Sequence, residues 1–257
     1  MNLPNRLNRD ITIEAPRDLV FQFFTDTPHW AAWWGAGSTI DPRPGGKVYI
    51  RHPNGVEVSG EVLEVAVPER IVFTYGYASG APIGPGQSRV TIHLDESAAG
   101  TRLRLAHDFA DAAARDQHVQ GWRFQLSLFS NVVANELHAG AAGLVDAWFD
   151  AWAEPDDSAR RATLDRIAAP GVRFRDQYSL LDGLDDLSAH IAGALRFMPG
   201  MRLKRDGNVR HCQGTVLVNW VAVSPDGQQR GGGANVFVFG ADRRILSVAG
   251  FWNPASA

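Results

Sequence analysis

At 257 residues, with 45% apolar and 21% charged side chains, the chain has the balance of an ordinary soluble protein. Its length lies near the upper limit for one hydrophobic core and is comfortable for two. A formal net charge of −3 supplies no field that would gather nucleic acid or an anionic membrane surface, so a polyanion is not the expected partner. No apolar run is long enough to span a bilayer, and the opening MNLPNRLNRD lacks a signal-like stretch. Cys212, the single cysteine, excludes an intrachain disulfide. A cytoplasmic location without membrane insertion is therefore expected.

In chain order, residues 11–13 read as a strand and Pro16 stands where a first helical turn tolerates a missing amide. The helix that follows turns Leu19, Val20, Phe23 and Phe24 inward. Trp30, Trp33 and Trp34 form an aromatic cluster expected in the core, and the chain then turns at Pro44-Gly45-Gly46 into strands. Asn54-Gly55 between KVYIRH and VEVSGEVLEV is a hairpin signal, because the favoured turn needs positive φ at its centre. RIVFTYGY, SRVTIHL and TRLRLAHDF continue the antiparallel series, with a Gly- and Pro-punctuated loop over 76–88. On the last strand His107 alternates with Leu103, Leu105 and Phe109. A long helix over about 112–138 puts His118, Trp122, Gln125, Phe129, Val132 or Val133, and Glu136 on one stripe.

FTDTPHWAAWWG, the PGG turn, GEVLEVAVPERIVFTY, GTRLRLAHDF and the late Gly121-Trp122 resemble the START-related helix-grip (SRPBCC) superfamily, in the branch named after the activator of the heat-shock-protein ATPase. The resemblance spans residues 8–138. It implies an α+β domain over 1–140 in which a curved antiparallel sheet grips a long C-terminal helix around an apolar cavity. It also implies a lipid, polyketide, hormone or other hydrophobic ligand. His107, His118, Trp122 and Phe129 are the expected ligand contacts. The co-chaperone activity behind the branch name also uses a separate domain that is not expected here, so that activity transfers poorly.

After the small-residue joint 140–143 the periodicity restarts. Leu144, Val145, Trp148, Phe149 and Trp152 mark a helix, and Pro155-Asp156-Asp157-Ser158 ends it and caps a second one. In that helix Arg160, Arg161 and Arg166 read as a solvated face. VRFRD is a short strand, LSAHIAGALRFM a third helix, and three strands remain, around 210–223, 234–239 and 245–251. AWFDAW, AAPGVRFRD, DGLDDLSAHI, VNW, GGANVFVF and RILSVAGFW resemble the SnoaL-like branch of the nuclear transport factor 2-like fold over 143–253. That resemblance implies a C-terminal domain over 143–257, a cone-shaped α+β barrel with a sheet-lined pocket. Its relatives include polyketide cyclases, steroid isomerase-like enzymes and binding domains.

The expected interior of that cone is Trp148, Trp152, Phe197 and Trp220, with Asp176, His190 and Asn235 as its polar groups. Where many relatives carry Asp, this chain has Asn235, which can polarise a carbonyl but cannot take its proton. Asp176 and His190 are then the acid/base candidates. Gly231-Gly232-Gly233 precedes a strand and opens no helix, so it is not a dinucleotide fingerprint. No metal-binding spacing occurs, and no metal or other cofactor is expected. Three functions fit the sequence: a binder of a hydrophobic small molecule, a cyclase- or isomerase-like enzyme working by proton transfer, and a protein-interaction or co-chaperone-like module. A homodimer is expected under all three.

Overall fold

The computed structural model describes residues 2–253 and divides into two compact units, one ending at Ala134 and the other beginning at Asn135. Among the described residues no helix is long and apolar enough to cross a membrane.

The first unit is a seven-stranded antiparallel sheet in the order β1-β7-β6-β5-β4-β3-β2. Its strands are β1 (Asn5–Ile13), β2 (Thr39–Ile40), β3 (Lys47–Arg51), β4 (Glu57–Ala66), β5 (Arg70–Tyr75), β6 (Ser88–Ser97) and β7 (Gly100–Phe109). Three helices accompany them, α1 (Arg17–Gln22), α2 (Thr27–Trp34) and α3 (Ala112–Leu137). Pro16 is the residue that opens α1, and Asp26 caps α2 by accepting from the His29 amide. The period-two alternation of β7 sends Leu103, Leu105 and His107 inward, and all three are buried. On α3 the buried stripe is His118, Trp122, Gln125, Phe129 and Val133. Val132 is half-buried, and Glu136 faces solvent because the stripe drifts off the core side at the helix end.

The β3–β4 hairpin is wider than its Asn-Gly centre suggests. His52 N–H donates to Val56 O at 2.9 Å, and Gly55 alone takes positive φ, +84°. Asn54 instead accepts the Val56 amide on its side chain at 3.1 Å, the local turn that Asn favours. The extra residues place His52, Pro53 and Asn54 beside α3, where they bound a cavity.

The second unit carries a six-stranded sheet in the order β10-β11-β12-β13-β8-β9, antiparallel except where β13 meets β8. Its elements are α4 (Ala141–Ala151), α5 (Asp157–Ile167), β8 (Ala168–Arg175), β9 (Leu180–Asp182), α6 (Gly183–Phe197), β10 (Arg202–Cys212), β11 (Thr215–Val223), β12 (Gln229–Phe239) and β13 (Ile245–Trp252). Strands β10 and β9 are the edges of this order and do not pair with each other, so the sheet does not close into the expected barrel.

Two expectations are corrected here. The sequence pattern marks three late strands and the fold has four. β10 carries little strand signal because its better-covered side, Leu203, Arg205, Val209 and His211, is only half-buried and half polar. A two-residue turn joins it to β11, with positive φ at Gln213 (46°) and Gly214 (80°). Arg160 is not solvated. It shares the i, i+4, i+7 face of α5 with Leu164 and Ile167 and is 1% exposed, its guanidinium held by Glu154 O at 2.8 Å and by Asp157.

Candidate functional site

A cavity of about 400 Å³ opens in the first unit between α3, the β3–β4 loop and the end of β5. The end of α2 contributes Trp34, β5 and the segment after it Tyr75 and Tyr77, and α3 contributes Gln117, His118, Trp122, Phe124 and Gln125. Gly121 also lines it, and a Cβ placed there would meet nothing within 4 Å, so the missing side chain keeps the space open. Phe124 stands at the cavity 69% exposed.

Hydrogen bonds fix the protons around this cavity. Trp122 Nε1–H donates to His107 Nδ1 at 2.9 Å. His107 must then carry its proton on Nε2, which lies 2.8 Å from Ser88 Oγ, and Ser88 in turn donates to Tyr75 O at 2.7 Å. His118 Nδ1–H donates to Ala114 O at 2.7 Å, leaving Nε2 to accept the Tyr77 hydroxyl at 3.2 Å.

Burial favours the neutral form of each ring. It pushes the His107 pKa well below the usual histidine range, with nearby His118 adding to the effect. Burial also lowers His118, partly offset by the bond to Ala114, and lowers His52. Tyr75 is raised well above its ordinary value, by burial first and by Tyr77 second. Among the described residues no Asp, Glu, Lys or Arg lines the cavity. The result is an aromatic pocket without charge at neutral pH, suited to holding an uncharged molecule.

Of the four contacts expected in this unit, His118 and Trp122 line the cavity. His107 stands behind Trp122, with both nitrogens engaged. Phe129 is a correction: it is fully buried and packs on Phe23, Phe24 and Trp33 at ring distances of 5.8, 4.9 and 4.8 Å, so it belongs to the core. Trp34, expected in the core, is 3% exposed and also lines the cavity. Tyr75 and Tyr77 were not among the expected contacts. Their alternation around Gly76 at the edge of the long loop was the available signal.

In the second unit, cavities of about 290 and 400 Å³ lie along β8 and β13, and of the expected polar groups only Asp176 lines either. Its carboxylate accepts Tyr178 N–H at 2.8 Å and Trp252 Nε1–H at 3.1 Å. His190 Nε2 lies 3.3 Å from Ser179 Oγ, with its ring 5.7 Å from Trp152. Asp176 and Ser179 also exchange backbone hydrogen bonds, at 3.0 and 3.4 Å, so both acid/base candidates adjoin Ser179. Asn235 accepts Trp220 Nε1–H at 3.0 Å, and both are buried, as is Trp148. Trp152 is half-buried on the same cluster. Phe197 is corrected: at the end of α6 it is 89% exposed, because the helix terminates there and turns it away from the core. Among the described residues no three His, Cys, Asp or Glu side chains gather as a metal-ligand set.

Comparison with known proteins gives a family match over residues 14–134, to the family described as Activator of Hsp90 ATPase homolog 1-like protein. No curated protein matches the chain. Among solved structures, a SnoaL-like family protein from Agrobacterium tumefaciens strain C58 is 27% identical, covering 44% of this chain and 96% of its own, with a TM-score of 0.42. CalU16 from Micromonospora echinospora is 25% identical, covering 52% and 78%, with a TM-score of 0.41. A Mesorhizobium loti protein is 20% identical, covering 49% and 94%, with a TM-score of 0.45.

Proposed function

We propose that the protein binds a hydrophobic small molecule in the cavity of its first unit. The observation that carries this reading is the aromatic space of about 400 Å³ between α3 and the sheet, lined without a charged side chain. Its volume falls in the range of ligand pockets. The competing proton-transfer reading needs Asp176 or His190 free to act as the base, and both side chains already have partners, Tyr178 N–H and Trp252 for one and Ser179 for the other. A homodimer and a cytoplasmic location belong to the proposal as well.

Gly121 provides the test. Gly121→Leu puts a branched side chain into the open space while improving the helix propensity of α3. The full chain titrated with the neutral dye Nile red is expected to bind it at micromolar concentration, and the variant at least tenfold more weakly. Equal binding by both, or none by either, removes the cavity as the functional site.

A further inference from the structure

We propose that this cavity selects an aromatic ligand bearing a hydroxyl group, a phenol for instance, and takes the hydroxyl proton on the side-chain oxygen of Gln125. The inference rests on the hydrophobic-binding reading and narrows its ligand class.

Gln125 interrupts the buried stripe of α3, three residues after Trp122 and four before Phe129, and is itself 6% exposed. An amide in such a position is costly unless both of its ends find partners. One end does. Gln125 Nε2 donates to Trp33 O, at the close of α2, and this bond fixes which way the amide points, because its oxygen could not face another carbonyl. The other end does not. Gln125 Oε1 accepts from no described residue, and it is not sealed off either. Among the described residues of this unit, the unpartnered side-chain atoms closed to solvent are nitrogens of Arg9, Arg17, Trp34 and Arg70, so the Gln125 oxygen retains open surface. Gln125 lines the cavity, and that surface opens into it.

The neighbouring buried polar groups of the α3 wall are committed elsewhere. Trp122 Nε1 donates to His107, and His118 uses one nitrogen on Ala114 O and the other on Tyr77. A ligand that fills the space therefore strips water from Gln125 Oε1 and must supply a donor or leave that oxygen unpaired. The walls around it, Trp34, Tyr75, Tyr77 and Trp122, suit an aromatic body. A hydroxyl on an aromatic ring meets both conditions.

Three probes separate these requirements: 2-naphthol, 2-methylnaphthalene, which replaces the hydroxyl by a methyl of similar size, and 2-methoxynaphthalene, which keeps the oxygen and lacks the proton. Calorimetric titration of the full chain is expected to show 2-naphthol binding at least tenfold tighter than either of the others, since a site that hydrogen-bonds a hydroxyl discriminates against analogues that leave its own group unpaired. In the chain labelled with ¹³C at glutamine, the side-chain carbonyl resonance of Gln125 should move downfield with 2-naphthol and not with 2-methylnaphthalene. Gln125→Met, which keeps the length of the side chain, should lower the affinity for 2-naphthol to that for 2-methylnaphthalene and leave the latter unchanged. Should that variant fold poorly, the carbonyl resonance of the native chain decides alone. Equal affinities for 2-naphthol and 2-methylnaphthalene, or a preference for 2-naphthol that survives in the variant with the resonance unmoved, overturn the role of Gln125 and leave hydrophobic binding standing, as does failure of all three probes while Nile red binds. Methoxynaphthalene binding as tightly as 2-naphthol overturns the need for a proton. If Nile red also fails to bind, the underlying reading falls with it.

Discussion

A buried histidine is defined by what already occupies its two nitrogens. The alternation of β7 places His107 inward from sequence alone, but its partners Ser88 and Trp122 come from other elements and were not legible. His138, which the sequence did not single out, is a further buried histidine. Its ring lies 5.5 Å from both His211 and Phe239, and its Nδ1 is buried without a partner. Burial, then His211, then Arg243 lower its pKa from 6.5 to about 4. His211 itself is held neutral in this arrangement, donating from Nδ1 to Asn135 at 2.6 Å and accepting Gly214 N–H on Nε2 at 3.1 Å. A histidine with a depressed folded pKa contributes stability above its unfolded value that is lost as pH falls. The second unit should therefore weaken between pH 6.5 and about 4, by roughly 2 kcal/mol after allowance for solvent screening. Urea midpoints at pH 7, 5.5 and 4.5 measure this, and His138→Phe should flatten the slope. An unchanged slope in the variant would assign the effect to other groups.

Strands were legible where one face alternates strongly and not where it is half polar. β12 shows itself through Asn235, Phe237 and Phe239, which are all buried, whereas β10 has no such face. The glycines 231–233 within β12 could be excluded as a nucleotide motif, yet only the fold explains Gly233. A Cβ on Gly233 would lie 2.0 Å from Phe251 O and 2.8 Å from the Trp220 ring, so the indole that donates to Asn235 packs directly over bare backbone. Gly233→Ala should force β13 or Trp220 to move and destabilise the second unit by about 1–3 kcal/mol, the usual range for overpacking. Chemical denaturation followed by tryptophan fluorescence reads this loss. A variant of native stability would show that the indole relocates freely. α5 teaches the complementary lesson, because the spacing of Arg160, Leu164 and Ile167 was present in the sequence and residue type overruled it.

At the scale of the molecule, the restart of apolar periodicity after 140–143 separates two units in the sequence, while the boundary between the compact units falls at Ala134 and Asn135, inside α3. The last turn of that helix and His138 supply the second unit with Asn135 for His211 and a ring against Phe239. No sequence pattern marks this, since a helix reads as one element whichever core its ends serve. A fragment of residues 135–257 should consequently melt several degrees above one of residues 143–257, as scanning calorimetry can determine. Equal melting temperatures would mean that these contacts contribute nothing to the unit. Both fragments being unfolded while the full chain unfolds cooperatively would show that the second unit does not fold by itself.

The rings of Trp33 and Trp34 lie 4.2 Å apart with their planes at 34°, and Trp30 meets both at 5.3 and 5.6 Å. Chromophores held this close in one fixed geometry give strong near-ultraviolet circular dichroism, a signal that vanishes when side-chain packing loosens even if helices and strands persist. Because Trp34 also borders the cavity, occupancy there and solidity of the surrounding core can be followed optically in the unlabelled chain.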